Sequence, residues 1–264
     1  MALHLPDGCL TQHQEQVAAR VLSEESARRS HIVVSLSGAH AYGFPSPDSD
    51  LDLKAVHVLP TSRFVGLRSP DLHADRMEVL EGVEIDYTSN ELGAVLQGVL
   101  KGNGNYIERF LGALQPVGSE VLDELRPLVG QALSRRVHAH YRGFATSQKH
   151  ALDDPSKATA KKVLYVLRTT LTGAHVLLSG RVQTDLTALM DDSGFADARE
   201  LIELKQRAER VALGPDRLEH WRRRLADAFA ALDSARERSV LPEEPSNERE
   251  IETWLLSLRR RLWD

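Results

Sequence analysis

From residue 11 the apolar positions fall at helical spacing. Thr11 offers an N-cap and Gln14 stands three residues on, and Val17, Ala18, Val21 and Leu22 share one stripe, which predicts an amphipathic helix ending near Glu25. The pattern then changes to short β-branched runs: HIVVSL at 31–36, LDLKAVHVL at 51–59 and VEIDYT at 83–88 read as strands. Between the first two lies GFPSPDSD, a passage of turn residues. A helix follows from Asn90 through Leu92, Val95, Leu96, Val99 and Leu100, and KGNGN at 101–105 reads as the turn that ends it.

Beyond the breaker cluster Pro116, Val117, Gly118 and Ser119, strand-like alternation disappears. Helical patterns cover 121–129, 134–150, 157–179, 184–190, 196–213, 216–239 and 251–262, without internal repeats. The expected organisation is a mixed α/β (α+β) domain with a small sheet over 1–116, then an all-helical domain over 117–264.

Composition narrows the function classes. The 264 residues are 42% hydrophobic and 27% charged, as in a globular chain. The single Cys9 excludes a disulfide framework or an all-cysteine zinc cluster, and a cytoplasmic setting is expected. The opening MALHLPDGCL has no basic leader before an apolar core, and no run is long enough to span a membrane, so no membrane partner is expected. A net charge of -5 argues against a general polycation, and three Trp, five Tyr and six Phe leave little for a base-stacking sheet. Any nucleic-acid contact must therefore be a local patch.

The chemistry concentrates in SGAHAYGFPSPDSDLD at 37–52. Strand alternation sends Asp50 and Asp52 to one face while Leu51 and Leu53 face the core. With Cα atoms roughly 6–7 Å apart at strand rise, two such carboxylates can converge on divalent ions about 3.5–4 Å apart, as in two-metal phosphoryl-transfer sites. A solvated acidic turn is the plain alternative. A calcium loop fails, because its sixth position is Leu53 in place of glycine and its twelfth is Leu59 in place of glutamate. On the third strand Glu84 and Asp86 share a face, and either can supply a further carboxylate. P-loop, nucleophile-elbow and dinucleotide-binding signatures are missing. His138 and His140, two apart on a helix, face different directions and read as surface or interhelical packing.

These residues resemble the nucleotidyltransferase superfamily typified by DNA polymerase beta, in which a glycine and serine pair precedes aspartates flanking an apolar residue. SGAHAYGFPSPDSDLDLKAVHV is similar, more closely, to a bacterial and phage branch that carries GS-x-AYG-x-x-x-x-x-SD-x-D, some members of which are associated with RNA ligases. The likeness extends through VEIDYTSNEL and LKGNGNYIERF, and more weakly through YRGFATSQKH and KKVLYVLR. It implies that Asp50 and Asp52 hold two Mg2+ (or Mn2+) ions, with Asp86 as third carboxylate and Glu84 as its competitor. Ser37, Gly38 and Ser49 would face the NTP; here serine precedes glycine, which displaces the usual hydroxyl by one residue.

On the helix at 157–179, Lys161, Tyr165, Arg168 and Thr172 form a polar stripe. Lys161 and Arg168 are candidates to hold nucleotide phosphates, with Lys149 and Lys162 as further candidates; an ordinary solvated face is the alternative. The expected activity is transfer of a nucleoside monophosphate from an NTP such as ATP to an acceptor hydroxyl, with release of pyrophosphate. By analogy with the family, the acceptor is an RNA 3′ end, tRNA in particular. The rivals are adenylyl transfer to a small molecule of aminoglycoside type or to a protein side chain, and a decayed, antitoxin-like nucleotide-binding module.

Overall fold

The computed structural model describes residues 3–207 and 211–264. The first helix, α1 (Gln12–Ser26), begins at the expected capping box: the Thr11 hydroxyl accepts from Gln14 N, and the Gln14 side chain accepts from Thr11 N. β1 (Ser30–Leu36), the short α2 (Gly38–Ala41), β2 (Leu51–Val58), α3 (Ser62–Val65), β3 (His73–Leu80) and β4 (Val83–Glu91) follow. Glu91 then caps α4 (Leu92–Leu100) by accepting from Gly93 N, and Asn103 caps α5 (Gly104–Leu111). β5 (Val117–Gly118) and α6 (Glu120–Gln131) complete this run.

Among the described residues the sheet has five strands in the order β3-β4-β2-β1-β5. β2 and β4 are parallel, and every other neighbouring pair is antiparallel. The sequence reading had three of the five. β3, HADRMEVL, alternates between exposed and half-buried along its length, which suits an edge strand with one wet face. Its charges hid that alternation. Alternate residues Leu51, Leu53, Ala55, Ile85 and Tyr87 bury one face of the sheet with Val17, Ala18, Val21 and Leu22 of α1. Asp52, Lys54 and Asp86 therefore point to the opposite face.

The helices that follow are α7 (Val137–His150), α8 (Ala160–Ser179), α9 (Leu186–Leu189), α10 (Arg199–Arg207), α11 (Pro215–Glu237) and α12 (Glu248–Arg261). The helix expected over 196–213 is a 3-10 turn, Ala196–Ala198, leading into α10; its residues 208–210 lie outside the described residues, and Ala212 forms a bridge with Thr159. No helix among the described residues is long and apolar enough to cross a membrane.

The chain forms two compact units, which divide elsewhere than at residue 116. One comprises the residues up to Gly38, Asp50–Ala132 and Pro245–Asp264; the other comprises Ala39–Ser49 and Leu133–Glu244. α6 stays with the sheet because it packs on α5 and β1. α12 returns to it because Arg259 pairs with the buried Glu91 and donates to Leu59 O at 2.9 Å. In the helical unit α8 is central, packed by α7, α10 and α11. The turn at 39–49 joins that unit through a backbone bond, Leu186 N to Tyr42 O at 2.9 Å, and a part-buried side-chain bond, Thr184 Oγ1 to Ala41 O at 3.0 Å.

Two histidines bond to side chains of β4: His31 Nε2 lies 2.6 Å from Tyr87 Oη, and His57 Nδ1 lies 2.7 Å from Ser89 Oγ. Burial, reinforced by the Arg29 charge, pushes each imidazole down from 6.5 to about 4. Because the unfolded chain binds these protons more readily, their contribution is present above pH 6.5 and is lost as the pH falls toward 4. Urea unfolding is expected to show a loss of roughly 1–2 kcal/mol per histidine between pH 7 and pH 5. In His57→Gln that fall should be about half as steep; an unchanged slope would contradict the assignment.

Candidate active site

β1 is followed by two small residues, Ser37 and Gly38, beside β2. Ser37 N donates to Asp52 O at 2.8 Å, and Gly38 turns with φ of +63°. A Cβ built on Gly38 would stand 1.8 Å from Asp52 Oδ2, so the Gly38 backbone lies directly against that carboxylate. Only glycine combines this backbone conformation with such an approach.

The parallel register of β2 and β4 places Asp86 opposite Asp52. Glu84, the competing candidate, is exposed one pleat repeat away. Between Asp52 and Asp86 sits a cation of the chain itself: Lys54 Nζ is 2.8 Å from Asp86 Oδ2 and 3.8 Å from Asp52 Oδ1. The same nitrogen lies 3.4 Å from both Asp86 O and Thr88 Oγ1. The donor set suits a hard divalent ion, since it consists of carboxylate oxygens, and the two side chains already converge on a positive charge.

Asp50 is placed differently from the sequence expectation. β2 starts at Leu51, so Asp50 precedes the strand. The preceding turn is closed on itself, with Ser46 N donating to Ser49 Oγ at 2.9 Å and Ser49 N donating to Ser46 O at 2.9 Å. Among the described residues no three His, Cys, Asp or Glu side chains are grouped closely enough to hold a metal ion. The structure thus brings Asp52 and Asp86 together and leaves Asp50 outside their pair.

Ser49 is buried, and its hydroxyl meets Lys205 Nζ at 3.2 Å; Ser46 Oγ lies 2.9 Å from the same ammonium, which is fully buried. Lys205 was not visible as a candidate in the sequence, because it belongs to a charged helix 156 residues from Ser49. The stripe on α8 is covered by the turn. Tyr42 packs edge-on against Tyr165 with centroids 5.6 Å apart, and the Arg168 guanidinium lies 3.7 Å from the Tyr42 ring centroid. Arg168 is only 1% exposed, so it braces the turn against α8. That is neither a solvated face nor an open phosphate ligand.

Lys161 lies at the edge of this stripe and helps to line a cavity of about 690 Å³ within the helical unit, together with Gln148, Lys157, Lys162 and Tyr165. Lys162 Nζ donates to Lys157 O at 2.7 Å, whereas Lys149 is directed to the Phe229 ring. His138 bonds to Asp233 of α11 at 2.8 Å, an interhelical contact, whereas His140 stacks on Phe144 one turn further along its own helix.

The unit with the mixed sheet carries an acidic pair on adjacent strands, with the Gly38 backbone against one of them. The family described as the RNA repair pathway DNA polymerase beta family (RlaP) matches residues 12–257, and the chain belongs to it. An uncharacterized protein of Methanocaldococcus jannaschii is 28% identical over 159 residues, which are 60% of this chain. The match spans 64% of that relative's length. A crystal structure of a nucleotidyltransferase-like protein from Exiguobacterium sibiricum 255-15 aligns over 94% of this chain and 80% of its own, at 10% identity and a TM-score of 0.33.

Proposed function

We propose that the chain transfers a nucleoside monophosphate from an NTP to an acceptor hydroxyl, with an RNA 3′ end, tRNA in particular, as acceptor. The observation that carries this reading is the register pair Asp52 and Asp86, converging on a cation beside the Gly38 backbone. Membership of an RNA repair family supports RNA as the acceptor class. Asp52 and Asp86 would hold Mg2+ or Mn2+, with Asp50 joining them when two ions are present. A bound divalent ion supplies Lewis-acid stabilisation of phosphoryl charge and lowers the pKa of the attacking hydroxyl.

The residues of the chain do the aligning. Ser37 and Gly38 leave room at the strand end for an anionic phosphate chain, and Lys161, in the helical unit, is a candidate to hold a nucleotide phosphate. Within the helical unit Lys205 holds Ser49, and Arg168 fixes Tyr42 in the same turn. In the reaction the acceptor oxygen bonds to the α-phosphorus, the bond from that phosphorus to the bridging oxygen breaks, pyrophosphate leaves, and the hydroxyl proton passes to a carboxylate, for which Asp86 is the candidate.

Incubation with each α-labelled NTP and separated RNA, protein and metabolite fractions tests this reading. Label on RNA that requires Mg2+ or Mn2+ and disappears with EDTA is the expected result. Label on protein or a small molecule would replace the acceptor, and no label on any fraction would overturn the transferase reading.

A further inference from the structure

Lys54 follows Asp52 by two residues on β2, so the pleat puts both side chains on one face. The parallel neighbour β4 adds Asp86 opposite Asp52. Two carboxylates on adjacent strands repel each other, and a half-buried setting screens that repulsion less than open water does. The ammonium of Lys54 relieves it. Its side chain and that of Asp52 are each 21% exposed and that of Asp86 is 36% exposed, so this is a partly desolvated triad.

A dication bound between the same two carboxylates would sit where the Lys54 ammonium now lies. An ammonium within 2.8 Å of Asp86 Oδ2 and a divalent ion on that oxygen carry like charge, and they cannot share the space. We propose that Lys54 is a built-in competitor for the metal: it stabilises the metal-free arrangement of Asp52 and Asp86, and metal loading requires its displacement. This rests on the reading of Asp52 and Asp86 as metal ligands. The displaced ammonium has a path available, because Asp86 O and Thr88 Oγ1 already lie 3.4 Å from it along β4. Its long, flexible stem permits the move. Lys54 thereby weakens binding of the bare ion while keeping the carboxylates in place before the ion arrives.

Mn2+ binding to the full chain without nucleotide, followed by electron paramagnetic resonance of the free ion and by thermal melting, tests the proposal. Lys54→Met is expected to bind Mn2+ at least about tenfold more tightly than the wild type. It should also melt lower without metal and gain more from its addition. Lys54→Gln, which keeps a polar group without the charge, should behave in the same way and serves as the second variant. Equal or weaker Mn2+ binding in both, while Asp52→Asn abolishes binding, would overturn the competition and leave the carboxylate site standing. If Asp52→Asn in the Lys54→Met background leaves Mn2+ affinity unchanged, the metal reading itself fails and the proposal falls with it.

Discussion

Asp52→Asn is expected to reduce nucleotidyl transfer by about a thousandfold or more, equivalent to roughly 4 kcal/mol of transition-state stabilisation. The substitution removes the charge of a carboxylate that would ligate the ion and leaves its shape nearly intact. The fold should tolerate it. Lys54 keeps its closer partner, Asp86, at 2.8 Å, and the longer 3.8 Å contact to Asp52 is partly exposed to solvent. A half-exposed pair of this kind contributes about 1 kcal/mol or less, so the melting temperature should move by only a few degrees. Steady-state transfer and thermal melting, measured on the same preparation, separate the two effects. Activity within a few fold of wild type in a folded Asp52→Asn protein would remove Asp52 from the site.

Gly38→Ala carries the second large effect, and it acts on both stability and activity. The left-handed backbone costs a residue with a Cβ about 1–2 kcal/mol. The new methyl would also stand 1.8 Å from Asp52 Oδ2, so the carboxylate or the strand end must shift. For a chain of this size that strain lowers the melting temperature by several degrees. A shift of a reacting or ligating group by about 1 Å costs on the order of a hundredfold in rate. The expected variant is folded, less stable and nearly inactive, with weakened Mn2+ binding. An unchanged melting temperature with full activity would show that the Gly38 strand end is not coupled to Asp52.

Much of the arrangement around Asp52 is legible in the sequence. The small residues closing β1, the leucines alternating with Asp52 and the carboxylates of β4 each announce a side of the sheet through the two-residue period of a strand. That period says which face a residue takes. It does not say which strands are neighbours, so only the parallel register of β2 with β4 pairs Asp52 with Asp86 over Glu84. Asp50 shows the limit of the pattern, because alternation was extended one residue past the true strand start into a turn closed by Ser46 and Ser49. β3 was missed because its half-buried face carries the ion-paired Arg76 and Glu78 while its exposed face carries Met77 and Val79 beside Asp75, so apolar character does not alternate with burial.

The remaining differences share one cause: pairing across long sequence separation. Arg259 and Glu91 are 168 residues apart, and their pairing returns α12 to the sheet unit. Lys205 reaches Ser46 and Ser49 from a helix that reads as ordinary charged surface, which attaches the turn at 39–49 to the helical unit. Arg168 likewise looks like a polar position at helical spacing until Tyr42 covers it. Charged side chains that are buried because they are partnered leave no trace in hydrophobic periodicity.

The central claim is that Asp52 and Asp86 together hold the divalent ion of a nucleotidyltransferase. Anomalous diffraction from crystals grown with Mn2+ and a non-hydrolysable NTP tests it most directly. The predicted result is a manganese peak within about 2.0–2.3 Å of carboxylate oxygens of both residues, with the Lys54 ammonium moved from between them. Manganese bound elsewhere at saturating concentration, with Lys54 still bridging the two carboxylates, would contradict it.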